Sequence, residues 1–250
     1  MTRIIFVDSK WEGDLTLGDK VIKYLKDKKI KSLALFASVQ FVHFDKVIEQ
    51  IKELGIEVKL TKAKRTSQIG QILGCDAYHD SFQEPIIKES DAIMYIGDGL
   101  FHPKALLLSQ IKEKEIKPVL QWNPMSKKFS ILTKKDIEPE VKRKIRNLKL
   151  FVNAKTIGIL VTIKPGQQYF NSAKRLKEHL ENQGKKAYIF IDDTLKLNEL
   201  ENYPFIEAWV NTACPRIGTD DILNTNKALL NLREAGNPIK ELEELNNHEK

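Results

Sequence analysis

The sequence predicts an α/β chain folded as two similar subdomains, each built on a parallel sheet. Three observations carry that expectation. Apolar runs of strand length alternate with stretches of helical periodicity, a pattern that lays strands parallel and puts helices on the faces of the sheet. The order strand, glutamine-bearing turn, helix, glycine, strand occurs twice, which is an internal repeat. Glycines fall where the helices should stop.

The elements follow in order. Residues 4–7 (Ile-Ile-Phe-Val) form a first strand, 21–25 belong to a helix, and 33–37 form a buried strand followed by Ser38-Val39-Gln40. Val47, Ile48, Ile51 and Leu54 share one helical face, Gly55 stands at the position after that helix, and 56–60 is the next strand. Residues 62–74 are polar and irregular and read as a loop. The run 92–96 suits a buried strand, and the Gly97-Asp98-Gly99 that follows turns the chain sharply. A helix from about Pro103 carries Leu106, Leu107 and Ile111 and ends before Pro118; 119–122 is another strand.

Residues 123–135 are polar and basic, broken by Pro124, and read as a connector. A helix over 140–152 leads into the second half. There, strand 156–161, the turn Lys164-Pro165-Gly166-Gln167, a helix with Phe170, Ala173, Leu176 and Leu180, Gly184 and strand 187–191 repeat the earlier order. The run 208–210 is a further strand, and the chain from Asn237 is a charged terminal helix. The expected domains are 1–122, holding Cys75, and 123–250, holding the connector, Cys214 and the charged tail.

Composition narrows the function classes. With 42% hydrophobic and 30% charged residues the chain is of ordinary globular make-up. It has no run of about 18 apolar residues, so no membrane partner is expected. No signal-peptide pattern precedes the first strand, and the expected compartment is the cytoplasm. A net charge of +7 suits a polyanionic partner. The basic clusters (Lys127-Lys128, Lys134-Lys135, Lys142-Arg143-Lys144 with Arg146) lack the interleaved aromatics of a single-strand stacking surface. They read as solvated helix faces, and no direct contact with nucleic acid is expected.

The residues able to do chemistry gather at predicted strand ends. Cys75 ends Gly-Gln-Ile-Leu-Gly-Cys, and Cys214 lies in Val-Asn-Thr-Ala-Cys-Pro-Arg just past strand 208–210. Two cysteines are too few for a disulfide framework, and neither belongs to a CxxC of the kind zinc and simple iron–sulfur sites use. Each is as readily a buried, inert residue as a ligand. His102 caps a helix or lines a crevice, and Gly97-Asp98-Gly99 is too short for a dinucleotide fingerprint. In open α/β sheets the crevice beyond such strand ends is where ligands bind.

Taken in order, GQILGC, IGDGLFHP, TIKPGQ and VNTACPR resemble the archaeal diphthamide synthase family, the 2-(3-amino-3-carboxypropyl)histidine synthases. The resemblance covers essentially the whole chain. Quinolinate synthase shares a plan of three domains and three cysteines, but IGDGLFHP and TACPR fit the diphthamide enzymes better. The resemblance implies one cysteine from each of three α/β domains, together holding a 4Fe–4S cluster with one iron open to S-adenosylmethionine. It implies one-electron cleavage of the Cγ–S bond and transfer of the 3-amino-3-carboxypropyl group, by radical chemistry, to a histidine of elongation factor 2. The CxxxCxxC loop of ordinary radical enzymes is absent.

The motifs match only the family's second and third domains. The resemblance therefore implies that Cys75 and Cys214 are cluster ligands and that the first domain, with its cysteine, is a separate chain. It also implies catalytic roles for His102 and Asp98, and a place beside the adenosylmethionine for Gln40, Gly97, Gly99, Gln167 and Arg216. Three readings are open: a split transferase working with a partner chain as a homo- or heterodimer, a non-catalytic supporting subunit of such an enzyme, and a metal-free α/β binding domain. The first is expected, because both cysteines keep their motif context.

Overall fold

The computed structural model describes residues 9–74, 79–219 and 227–247. It divides into two compact units, Met1–Ile137 and Glu138–Lys250. The expected strand 4–7 and Cys75 lie outside the described residues.

The first unit runs α1 (Asp19–Asp27), β1 (Ser32–Ala37), α2 (Asp45–Glu53), β2 (Glu57–Lys59), β3 (Ala92–Ile96), α3 (Phe101–Leu108), β4 (Val119–Asn123) and β5 (Lys128–Leu132). Its sheet has the order β2-β1-β3-β4-β5, parallel except for β5. Strands β1 and β3 are covered on both faces, which their near-continuous apolar sequences require. Helices α1 and α2 turn Val21 and Leu25, and Val47 and Ile51, into the same core as Leu33, Leu35, Met94 and Leu120. Each pair is spaced i, i+4, one above the other on a helical face.

The second unit runs α4 (Glu138–Asn153), β6 (Thr156–Thr162), α5 (Phe170–Asn182), β7 (Lys186–Asp192), β8 (Ala208–Asn211), α6 (Pro215–Thr219), β9 (Ala228–Asn231), α7 (Leu232–Ala235) and α8 (Pro238–Asn247). Its four-stranded parallel sheet has the order β7-β6-β8-β9. Trp209 on β8 is fully buried and lies across Gly158 of β6, its register partner, whose missing side chain makes the room.

The two sheets repeat one plan, second strand, first, third, fourth, down to individual hydrogen bonds. Helices α2 and α5 end in the same cap. Gly55 (φ 75°) donates to Lys52 O and Ile56 to Ile51 O; Gly184 (φ 78°) donates to Glu181 O and Lys185 to Leu180 O. This double bond with a left-handed glycine is the Schellman motif. At the same N-terminal end of the strands, Asp91, just before β3, accepts the Lys31 N–H at 2.8 Å. Glu207, just before β8, accepts the Lys155 N–H at 2.7 Å. Lys31 and Lys155 each directly precede the first strand of their sheet.

Two strands were not expected, and α3 ends at Leu108, short of Ile111. Residues 128–132, expected inside a connector, form β5 and extend the first sheet. Pro124 does end β4, but the Asn123 side chain accepts the N–H groups of Met125 and Ser126, and Lys127 takes a left-handed conformation (φ 52°), so the chain doubles back. The unexpected β9 closes the second sheet, and Asn147 of α4, buried, donates to its Leu229 carbonyl at 3.0 Å. Among the described residues no helix is long and apolar enough to cross a membrane.

Candidate functional site

In a sheet of order 2-1-3-4 the crossovers from the first strand leave in opposite directions. The crevice between the C-terminal ends of the first and third strands is the topological switch point where such folds bind ligands. In the first unit that point lies beyond β1 and β3, and in the second beyond β6 and β8. The expected site residues that the structure describes lie at these two strand-end clusters, described here one unit at a time.

In the first unit the chain comes back to β1 before Cys75. Ala37 donates to Gly70 O at 2.8 Å and Ile72 donates to Ala37 O at 3.0 Å, so the GQILGC segment pairs with the C-terminal end of β1, on its β2 side. Gly74 packs on the ring of Phe101, so that GQILGC and IGDGLFHP meet. Gly97, Asp98 and Gly99 follow β3 directly; Asp98 and Gly99 are exposed, and Gly99 has a left-handed φ of 65°. The turn is held by Gln121 of β4, a buried side chain whose Nε2 donates to Gly99 O at 2.7 Å and Gly97 O at 3.3 Å. His102, half-buried on the first turn of α3, has Nδ1 3.1 Å from the Tyr95 hydroxyl. Burial pushes the Tyr95 phenol well above its ordinary pKa, and Asp98 adds to the shift while Ser38 opposes it. Gln40 sits in the short turn Val39–Phe41 beyond β1, half-buried, its carbonyl accepting the Trp11 N–H.

In the second unit Cys214 is a free, partly exposed thiol three residues past the end of β8. Asn211 fixes its turn: Nδ2 donates to Cys214 O at 2.8 Å, and Oδ1 accepts the Ala213 N–H at 3.0 Å. Asn231, at the end of β9, accepts from Asn211 Nδ2 at 2.8 Å and donates to Pro215 O at 3.2 Å. Arg216 follows in α6 and is exposed. Gln167 stands beyond β6, half-buried, its N–H bonded to Lys164 O. Each unit thus uses a buried amide on its fourth strand, Gln121 or Asn231, to brace the loop that leaves the third.

These bracing residues, with Tyr95 and Asn211, were not among the expected site residues. Only Asn231 carries a sequence signal, as the first residue of the capping box Asn231-Leu-Arg-Glu234. A cavity of about 110 Å³ at the end of β7, lined by residues including Phe190, Lys196, Glu199 and Tyr203, contains none of the expected residues. Its Lys196 and Glu199 pair with each other at 3.0 Å.

The sequence model of the diphthamide synthesis protein family matches residues 1–247. The chain belongs to that family. Among its family relatives, a 2-(3-amino-3-carboxypropyl)histidine synthase of Pyrococcus horikoshii is 30% identical over 222 residues, which is 86% of this chain and 60% of that protein. Subunit 1 of the synthase from Yarrowia lipolytica is 29% identical over 207 residues, 81% of this chain and 44% of that protein. The crystal structure of Dph2 from Pyrococcus horikoshii with a 4Fe–4S cluster superposes with a TM-score of 0.71 at 27% identity, covering 90% of this chain and 63% of that one. This diphthamide-family chain therefore spans less than two thirds of the length of these relatives.

Cys214 has what an iron ligand needs, an accessible thiol outside any disulfide, on a turn whose backbone is already fixed. Cys75 lies outside the described residues; its neighbour Gly74 packs on Phe101, two residues after the Gly97–Gly99 turn. Among the described residues no three His, Cys, Asp or Glu side chains gather as a metal site. Among the described residues, the Cys214 thiol is of the type that ligates one iron of such a cluster.

Proposed function

We propose that this chain is one component of a 3-amino-3-carboxypropyl transferase of diphthamide synthesis, which modifies a histidine of elongation factor 2 with S-adenosylmethionine. The observation that carries the reading is the place of Cys214. It is a partly exposed thiol at the end of β8, the strand equivalent to β3, whose own end carries the Gly97–Gly99 turn. Cys75 and Cys214 would hold a 4Fe–4S cluster, the remaining thiolate coming from outside these 250 residues, on a separate chain with one α/β domain. The printed name of the Yarrowia lipolytica relative, a synthase subunit 1, favours an enzyme of more than one chain. When bound, the cluster supplies the electron that breaks the Cγ–S bond of S-adenosylmethionine.

The chain's own residues would bind and orient that substrate. Gly97 and Gly99 have no side chain to hold a ligand off the backbone. Asp98 offers an exposed carboxylate to the substrate's cationic groups, and Arg216 a guanidinium to its carboxylate. His102 is held in place from behind by Tyr95. Gln40 and Gln167 occupy corresponding turns beyond the first strand of each sheet and would contribute polar contacts.

The test is reconstitution without oxygen. The chain, with and without its companion, is incubated with elongation factor 2, a reductant and S-adenosylmethionine labelled in the 3-amino-3-carboxypropyl group. Label should reach the factor only when both chains are present. Labelling by this chain alone would contradict the separate partner, and no labelling by the pair would contradict the transferase reading.

A further inference from the structure

Tyr95 lies near the end of β3 and touches His102 there. Its side chain is fully buried. Among the described residues its hydroxyl makes one hydrogen bond, to His102 Nδ1 at 3.1 Å. The two rings also stack, with centroids 5.6 Å apart and planes 27° from parallel. Gly97 confirms how closely the hydroxyl is fitted, since a Cβ there would lie 2.5 Å from it. The nearby Ser38 hydroxyl is buried and has no well-formed hydrogen bond of its own.

A buried phenol has one proton and must donate it, because an unmet donor in the interior costs about 1–3 kcal/mol. Burial also keeps this phenol protonated at any ordinary pH. Among the described residues, Nδ1 of His102 is the acceptor that meets hydrogen-bond geometry, which the nearby Ser38 hydroxyl does not, and a nitrogen that accepts cannot carry the ring proton. The proton of the neutral imidazole then sits on Nε2.

We propose that Tyr95 is a positioning residue that donates to His102 Nδ1 and thereby fixes the imidazole as its Nε2–H tautomer beside the Gly97–Gly99 turn. The outer nitrogen becomes a donor, suited to an anionic group such as the carboxylate of S-adenosylmethionine. This last use rests on the function proposed above; the tautomer does not.

The test is imidazole ¹⁵N spectroscopy of the full chain labelled in histidine, with the His102 signals assigned through His102→Gln. The wild type should show an unprotonated Nδ1 and a protonated Nε2. Tyr95→Phe, which keeps the ring and removes only the hydroxyl, should shift both signals to the averaged positions of a mixed tautomer. Gly97→Ala, which displaces a hydroxyl that is still present, should do the same. A phenol that merely packs would leave the spectrum unmoved in both variants. A wild-type Nδ1–H tautomer, or unchanged signals in Tyr95→Phe, would overturn the proposal. S-adenosylhomocysteine binding to the assembled pair separates the two readings. A loss of about tenfold in Tyr95→Phe, the size of one hydrogen bond to a charged group, ties the tautomer to the substrate. If the wild-type pair does not bind it, the functional reading falls while the tautomer result stands.

Discussion

Gly74 and Phe101 are packed so tightly that a Cβ on the glycine would lie 1.8 Å from Phe101 Cε1. Gly74 is the residue before Cys75, and Phe101 is the residue before His102. One contact therefore joins the two motifs of the first unit, and it fixes where the chain stands as it reaches the cysteine.

Gly74→Ala should force the Phe101 ring aside. The ring is partly exposed and can swing outward, so the expected loss is about 1 kcal/mol, the low end for overpacking. The loss should disappear in a Phe101→Ala background. A double-mutant cycle by urea denaturation checks this; additive effects would mean the two residues do not share the space.

Gln121→Ala should cost about 1–3 kcal/mol, because two carbonyls of the Gly97–Gly99 turn lose their donor. The Ser130 hydroxyl, which donates to Gln121 Oε1 at 3.2 Å, loses its acceptor as well. Equilibrium unfolding measures the loss, and an unchanged midpoint would show that the turn holds itself.

Asn231→Ala removes the cap of α7 and the brace on the Cys214 turn together. Loss of the cap alone costs about 1 kcal/mol, and the buried bond to Asn211 should add to it. The specific readout is the thiol. In a Cys75→Ser background, alkylation of Cys214 should accelerate several-fold as its turn loosens, and an unchanged rate would deny Asn231 that role.

Asp91 supplies a pH dependence. The Lys31 N–H holds its carboxyl below the usual range; burial opposes it, and the Ser32 N–H and hydroxyl add smaller effects in the same direction as Lys31. A depressed folded pKa means stability that is present above the unfolded value of about 3.9 and lost as pH falls through the folded one. Asp91→Asn should therefore lower Tm at neutral pH, with the difference from wild type shrinking on acidification through the carboxylate range. The group is exposed, so the effect is modest. A difference constant with pH would remove the charge from the explanation.

The repeat was legible because its marks are local. The run 92–96 is a strand with the bounds its apolar sequence suggests, and Gly55 and Gly184 are the left-handed caps their positions imply. Strand β5 was not legible: Lys128, Ser130 and the partly exposed Ile131 read as polar loop, and only pairing with β4 makes a strand of them. Gln121 escaped for a related reason. A buried amide is recognised by the carbonyls around it, and those of Gln121 belong to Gly97 and Gly99, in the loop after another strand. The strand-end turns that carry Gly97, Gly99, His102 and Cys214 leave a local signature, whereas Gln121, which braces one of them, does not.

The central claim is that Cys214 is a cluster ligand, and iron and acid-labile sulfide analysis tests it most directly. The chain is co-expressed with its companion and purified without oxygen, as wild type and as Cys214→Ala. The wild-type assembly should carry about four irons and four sulfides, one 4Fe–4S unit. Cys214→Ala should lose them while the two chains still copurify. Full iron and sulfide in the alanine variant would contradict the assignment.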